Sequence, residues 1–465
     1  MSDSLDLVFL QCLIAATGLI FLLLRLQTPF LGITCLFALN VSSASLSAFF
    51  WGRVFGLKEQ WITTEHERVF LYSGWMTLAI VAAMWLAWWP FKRGHTSADV
   101  TRSIQKESFS WLTPQFIYFA LALGTAATIV VPFVLHQIPT VGTAVNLLAS
   151  WLKVGLILAV VLFRKRGSIA PLAIALALFV PAALVNALGS GFTPFSMDVL
   201  VPIVLILAFF NRVTLWSFIK LFLFVIPCMY LMFGWMASRN LIRSGELEQF
   251  SMLERGSRFA DVFFEELGHI TVTPYDIQNL LFERIDMSDI LAEETAFQNS
   301  PGGEDQFAYG ATLVDGAIAL VPRAIWEDKP VVAGYAEFVG RYTGAGPRTD
   351  STSIGVPVQF ELYANGGAPF VIVGIFILSY LCARLERFIA ITRRPLHMLM
   401  PAIMFLMPFA NGIEQIMLVL STALAGALTV FVVARVTEIA FPQFLPQFRT
   451  VKSRRALGSA LPTAA

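Results

Sequence analysis

The residues of this chain best suited to chemistry gather in one polar stretch, 238–367, where 20 aspartates and glutamates stand against nine lysines and arginines, a net charge of −11. Two runs within it stand out: Val321-Pro-Arg-Ala-Ile-Trp-Glu-Asp-Lys-Pro330 and Glu361-Leu-Tyr-Ala-Asn-Gly-Gly367. A guanidinium stays charged and presents a planar fork that matches phosphate oxygens, so the arginines are candidate anion ligands. Arg323 closes a short apolar segment, and Pro322 fixes its approach. Arg239 and Arg243 open the stretch, Arg341 and Arg348 lie in a Gly-rich part, and Lys329 sits beside Glu327 and Asp328, which can neutralise it. For proton transfer the first candidate is Glu361, six residues before Gly367 and expected near the membrane surface. Glu414 is the second. His269 is the third, because imidazole titrates near neutrality. The bland readings stay open: Arg239 and Arg243 as headgroup anchors or partners of loop carboxylates, and most of the acids as solvated surface.

The elements that must position these residues are membrane spans. Of 465 residues, 57% are hydrophobic and 14% charged, with a mean hydropathy of +0.71, whereas soluble domains are about one-quarter charged. Apolar runs near 20 residues recur, too long and too continuous for barrel strands, and helices are then the way to satisfy the backbone in lipid. The expected fold is an all-α polytopic membrane protein of about eleven spans, roughly 5–25, 29–50, 69–90, 113–135, 142–163, 168–188, 195–210, 213–237, 368–389, 396–410 and 414–440. This divides the chain into an N-terminal bundle (1–237), an extracytoplasmic acidic segment (238–367), C-terminal spans (368–441) and a basic cytoplasmic tail (442–465). The N-terminus lacks the basic region of a signal peptide, so the first span is expected to be retained.

Positive charge marks cytoplasmic loops. Lys92, Arg93, Arg102 and Lys106 follow span three, Arg164, Lys165 and Arg166 span five, Arg212 span seven, and Arg393 and Arg394 span nine. With the basic tail, these agree on an outer N-terminus, an inner C-terminus and a segment 238–367 outside. The loop 51–68, with Arg53, Lys58 and Arg68, is the exception, offset by Glu59, Glu65 and Glu67. Lys153 falls midway along span five, and a charge in the membrane faces a cavity or partner by default. It could meet a lipid phosphate, pair internally or snorkel.

Within the polar segment, Leu241, Leu247, Phe250, Leu253, Phe259, Phe263 and Leu267 predict an amphipathic helix broken near Gly256. Residues 276–297 predict a second helix. Residues 311–326 predict a short interfacial or re-entrant helix ending at Pro322, with Trp326 at headgroup depth; a buried helix of a small soluble domain is the alternative. Residues 334–357, rich in Gly, Thr and Ser, read as a mobile loop. The four cysteines, Cys12, Cys35, Cys228 and Cys382, fall in predicted spans and suggest neither a disulfide framework nor a metal site. No phosphate-binding Gly-rich loop and no zinc-protease motif occurs.

A large polar segment late in the chain, with Pro322-Arg323, Trp326-Glu-Asp-Lys-Pro330, Glu361-Leu-Tyr363 and Asn365-Gly-Gly367 at the mouth of the next span, resembles the oligosaccharide repeat-unit polymerases (the O-antigen, Wzy-type polymerases) of bacterial surface polysaccharide synthesis. The resemblance covers roughly residues 230–390. It implies a glycosyltransferase of the bacterial inner membrane, independent of metal and cofactor, acting on the outer face. A growing glycan on a polyprenyl diphosphate would pass to an incoming lipid-linked repeat unit. The diphosphate ligands would come from Arg323, Arg239, Arg243, Arg341, Arg348 and Lys329, and the base from Glu361, Glu414 or His269. The implied partners are the lipid-linked glycans, the bilayer, and flippase and chain-length regulator proteins, with no nucleic acid. An O-antigen ligase, moving glycan to a lipid A core, shares the layout. A polysaccharide or lipid transporter is the non-enzyme alternative, disfavoured by the missing internal repeats and the scarcity of intramembrane charge.

Overall fold

The computed structural model describes residues 2–25, 33–42, 44–45, 63–89, 113–135, 139–190, 252–269, 288–300, 307–319, 335–344, 357–391 and 416–440, with the single residues 219, 223, 234, 238, 250, 321 and 326. No strand occurs among the described residues. The helices are α1 (Ser2–Arg25), α2 (Ile33–Val41), α3 (Thr64–Trp88), α4 (Pro114–Leu135), α5 (Pro139–Arg166), α6 (Ile169–Ser190), α7 (Met252–His269), α8 (Ser288–Gln298), α9 (Ala311–Ala319), α10 (Tyr335–Thr343), α11 (Val358–Ile391) and α12 (Ile416–Ala440). Three stretches among the described residues are long and apolar enough to cross a membrane: Asp6–Leu23, Thr64–Trp88 and Val358–Phe388. The chain is therefore a helical membrane protein. Predicted spans seven, eight and ten lie outside the described residues, apart from isolated positions.

The bundle that carries the site is α1, α2, α3 and α11. α3 begins with a capping box, in which Thr63 Oγ1 accepts from the His66 amide and the His66 ring accepts from the Thr63 amide. It ends where Arg387 Nη1 donates to the carbonyls of Ala87 (2.9 Å) and Trp89 (2.8 Å), satisfying acceptors the helix itself cannot. α3 runs parallel to α11: Tyr72 packs on Tyr363 at one end, and Ala87 meets Arg387 at the other. α2 runs antiparallel to α11. Its first turn donates Thr34 N and Oγ1 to Glu386 Oε2 (3.1 and 2.6 Å), and its last carbonyl, on Val41, accepts from Gln359 Nε2 (3.2 Å). α1 lies parallel to α3, with the Trp85 indole donating to Gly18 O (3.0 Å).

A second close pair is α4 and α5. A Cβ added at Gly124 would collide with the backbone of Trp151 and Leu152, and one added at Gly155 would press into the Leu121 side chain. Glycine at the crossing lets the two backbones touch, which is how helices associate where lipid removes the hydrophobic drive. Trp151 is buried edge-on to Phe116 at 6.3 Å. Lys153 is half-buried on the same helix.

Span nine, predicted from residue 368, is the second of two helices within α11: Gly366 and Gly367 both leave the helical backbone, Gly367 with φ 70°, and the first helix folds back so that the Leu362 side chain lies against Gly374. Three expectations change. The break expected near Gly256 is absent, and α7 runs unbroken through it. An isolated glycine weakens a helix by about 1 kcal/mol, which packing readily overrides. Residues 335–343, read as mobile loop, form α10, because Phe338, Val339 and Tyr342 make one buried face. The short apolar helix α9 ends at Ala319, before Pro322.

Candidate functional site

The run Glu361-Leu-Tyr-Ala-Asn-Gly-Gly367 occupies the first turns of α11, and nearly every member ties that helix to another element. Asn365, 1% exposed, is the centre. Its Nδ2 donates to Glu361 O (2.7 Å) and Thr312 Oγ1 (2.6 Å), and its Oδ1 accepts from Gly310 N (2.7 Å). Its Oδ1 thereby holds one turn at the head of α9. That turn, Tyr309–Gly310, is left-handed at both residues (φ 45° and 92°), and only the second is glycine. Ala308 N donates to Ala364 O (2.8 Å) beside it. The Phe307 ring packs over Gly367, where φ is positive.

Glu361 is buried, at 2% exposure, rather than lying at a partly wetted surface. Its Oε2 accepts from Ile416 N at 2.6 Å, the first residue of α12. A carboxylate there meets a free amide and the positive end of the helix dipole. The Thr312 hydroxyl lies beside the same carboxyl. Glu361 therefore joins α11, α9 and α12, and its carboxylate is held in one orientation.

A second buried carboxyl lies on α8. Glu294 on α8 has no exposed surface, and neither of its oxygens has a hydrogen-bond partner. Burial pushes its carboxyl well above the usual carboxylate range. Glu294 and Glu361 both act electrostatically on the phenol of Tyr342, whose own ionisation burial disfavours. Arg341, exposed on α10, stands 5.8 Å from the Tyr342 ring centre and supplies the nearby positive charge. Tyr342 packs on Phe338 (4.9 Å), which packs on Phe360 (5.8 Å). α8 is anchored to the head of α3 by His66 Nε2 and Asp289 Oδ1, 2.9 Å apart. Because His66 Nδ1 accepts the Thr63 amide, the ring proton of the neutral form sits on Nε2 and is donated to Asp289.

No protein family, no curated protein and no solved structure matches this chain. The site therefore stands on its own geometry.

Of the residues singled out from sequence, Glu361 and Arg341 are brought into one neighbourhood, linked through Tyr342. His269 is exposed in the last turn of α7, which packs on α6, while the neighbours of Glu361 come from α9 and α12. Arg239, Arg243, Arg323, Lys329, Arg348 and Glu414 lie outside the described residues. Among the described residues no group of three or more His, Cys, Asp or Glu side chains gathers as metal ligands would. Sequence reasoning missed Glu294, Tyr342 and the role of Asn365. A signal for Glu294 exists: Leu291, Glu294, Thr295 and Gln298 recur at helical spacing, and all four are buried, so an acid sits on the inner face of α8.

The charge state of Glu294 gives stability a pH dependence. Unfolded, this carboxyl loses its proton near the ordinary glutamate value of about 4.3. Folded, it keeps the proton to higher pH. Between the two the unfolded chain binds fewer protons, so rising pH favours unfolding. The stabilisation is complete below the unfolded pKa and is lost as pH rises through the folded one. Glu294→Gln should remove this slope, so that the melting temperature of the variant relative to the parent is higher at pH 7 to 8 than at pH 4 to 5. Equal pH profiles for variant and parent would contradict it.

Proposed function

We propose that this protein is a lipid-linked oligosaccharide polymerase, joining polyprenyl-diphosphate-linked repeat units by metal-independent glycosyl transfer on the outer face of a bacterial inner membrane. The observation that carries the reading is Glu361. It is a buried carboxylate, oriented by a backbone amide and linked through Tyr342 to an arginine-bearing helix, where the polar segment meets the membrane bundle. In the reaction, an acceptor hydroxyl oxygen attacks the anomeric carbon of the growing glycan. The bond from that carbon to the diphosphate oxygen breaks, and the lipid diphosphate departs with the bonding pair. Glu361 takes the hydroxyl proton. The leaving group is already weakly basic, so cationic stabilisation matters more than protonation. Arg341 is the described residue placed to contribute, with Arg323, Arg239, Arg243, Arg348 and Lys329 completing the cationic set.

The proposed architecture has about eleven spans, an outer N-terminus and an inner C-terminus. Its support is the alternation in the bundle: α1, α3 and α11 run in one direction and α2 in the other, as spans one, three, nine and two must. An O-antigen ligase would use the same chemistry on a different acceptor.

Deleting the protein should leave single repeat units on the carrier. Long carrier-linked chains that never reach the core would instead identify a ligase, and absence of repeat units from the outer face a transporter. Glu361→Gln keeps an oxygen for the Ile416 amide but removes the base, and polymer formation should fall by about 100-fold or more. Chains of near-normal length and yield from an inserted, monodisperse Glu361→Gln protein would refute the assignment.

A further inference from the structure

The proposed base does not account for the inner face of α8. Glu294 is fully buried with both carboxyl oxygens unpartnered. One helical turn on, Gln298 is 1% exposed with both amide atoms unpartnered. Residues four apart on a helix face the same way, so these four polar atoms address one region. The neighbouring walls are aromatic: Tyr72, Tyr342 and Tyr363 all feel the Glu294 carboxyl, and Tyr72 packs on Tyr363 with ring centres 5.4 Å apart. Native interiors pair their buried polar groups, and a run of orphans on one face calls for a partner outside the described contacts. Carboxyl and amide groups beside aromatic rings are the chemistry that grips a polyhydroxylated ring: the polar groups bind hydroxyls, and the phenol faces cover the apolar C–H face. Tyr342 links this face to the proposed base, because Glu294 and Glu361 both act on its phenol.

We infer that Glu294 and Gln298, walled by Tyr72, Tyr342 and Tyr363, form a sugar subsite that holds the acceptor end of the lipid-linked repeat unit beside Glu361. The sugar class rests on the polymerase reading; the subsite rests on the unpartnered groups. The four atoms are closed off in this structure, so binding requires α8 to part from α10. One contact that must give is that of the Gly344 backbone with the Phe297 ring, at the end of both helices. The hinge side stays fastened to α3 by His66 and Asp289.

The test uses the full-length protein in proteoliposomes, with lipid-linked repeat units purified from a strain lacking it. Two quantities are read: the repeat-unit concentration at half-maximal polymer formation, and the hydrogen-exchange protection that repeat units confer on 288–298. Glu294→Gln and Gln298→Leu should each raise the half-saturating concentration tenfold or more and abolish the protection. Glu293→Gln, exposed on the same helix, should change neither. Unchanged half-saturation and unchanged protection in both inner-face variants would overturn the subsite. If the parent protein makes no polymer but repeat units still protect 288–298, and Glu294→Gln loses that protection, the polymerase reading falls and the subsite stands. Polymer formation without any protection of 288–298 sinks the subsite and leaves the polymerase reading intact.

Discussion

Asn365→Leu is expected to destabilise the folded protein by about 3 kcal/mol, because it breaks three hydrogen bonds of roughly 0.5–1.5 kcal/mol each at groups that are buried or part-buried. The groups are the Gly310 amide, the Thr312 hydroxyl and the Glu361 carbonyl. The loss is larger than for an ordinary buried asparagine because its Oδ1 also holds a turn whose first left-handed residue, Tyr309, carries a side chain. That conformation costs about 1–2 kcal/mol and persists only while its surroundings impose it. Removing the clamp frees the turn, and α9 loses its register on α11. Thr312 then leaves the Glu361 carboxyl, so polymer formation should fall further than stability alone explains. Thr312→Val, which removes one bond of the three, should cost about 1 kcal/mol. The check is thermal unfolding of purified full-length variants in one detergent, alongside chain-length analysis in cells. A loss for Asn365→Leu no greater than for Thr312→Val would show that the clamp is not cooperative.

The second large effect is expected far from the site. Gly124→Ala places a methyl group against the backbone of Trp151 and Leu152, and backbone has no rotamer with which to yield. The helices must separate, and α4 and α5 then lose the contact that buries Trp151, Leu121 and Phe116. Overpacking of this kind costs about 1–3 kcal/mol and more where nothing can move. Gly124→Ala should lower the melting temperature by several degrees, and Gly124→Leu should leave no monodisperse protein after solubilisation. Gly155→Ala should be milder, because it meets the Leu121 side chain, which can turn aside. Size-exclusion profiles of fluorescent fusions give the ranking. Equal tolerance of alanine and leucine at 124 would mean that α4 and α5 do not cross there.

The helical membrane class was legible in the residues themselves. Runs of apolar residues leave a backbone in lipid no way to pair except within the helix, so composition and run length suffice. Three runs, at 6–23, 64–88 and 358–388, are such helices in the structure. The short apolar helix at Ala311 was legible for the same reason. α10 was missed for another reason: Tyr335, Phe338, Val339 and Tyr342 do recur at helical spacing, but Gly334, Gly340 and Gly344 in and beside them read as a loop. The short helix before Gly366 was hidden too, since its eight residues carry too little period to show in sequence.

Glu361 could be chosen from its type and its place before a span. Its burial, its bond to Ile416 N and its closeness to Tyr342 could not, since these join positions 55 and 19 residues apart through a fold. Glu294 shows the same limit more sharply. In sequence it is one acid among 20 in a polar stretch. Only packing against α3, α10 and α11 takes away its water, and with it the ordinary behaviour of a carboxylate. Sequence determines which groups this protein has and that it is a helical membrane protein, because both follow from local composition. Tertiary structure decides which of those groups lose solvent and which lose partners, because desolvation is a property of neighbours brought from elsewhere in the chain.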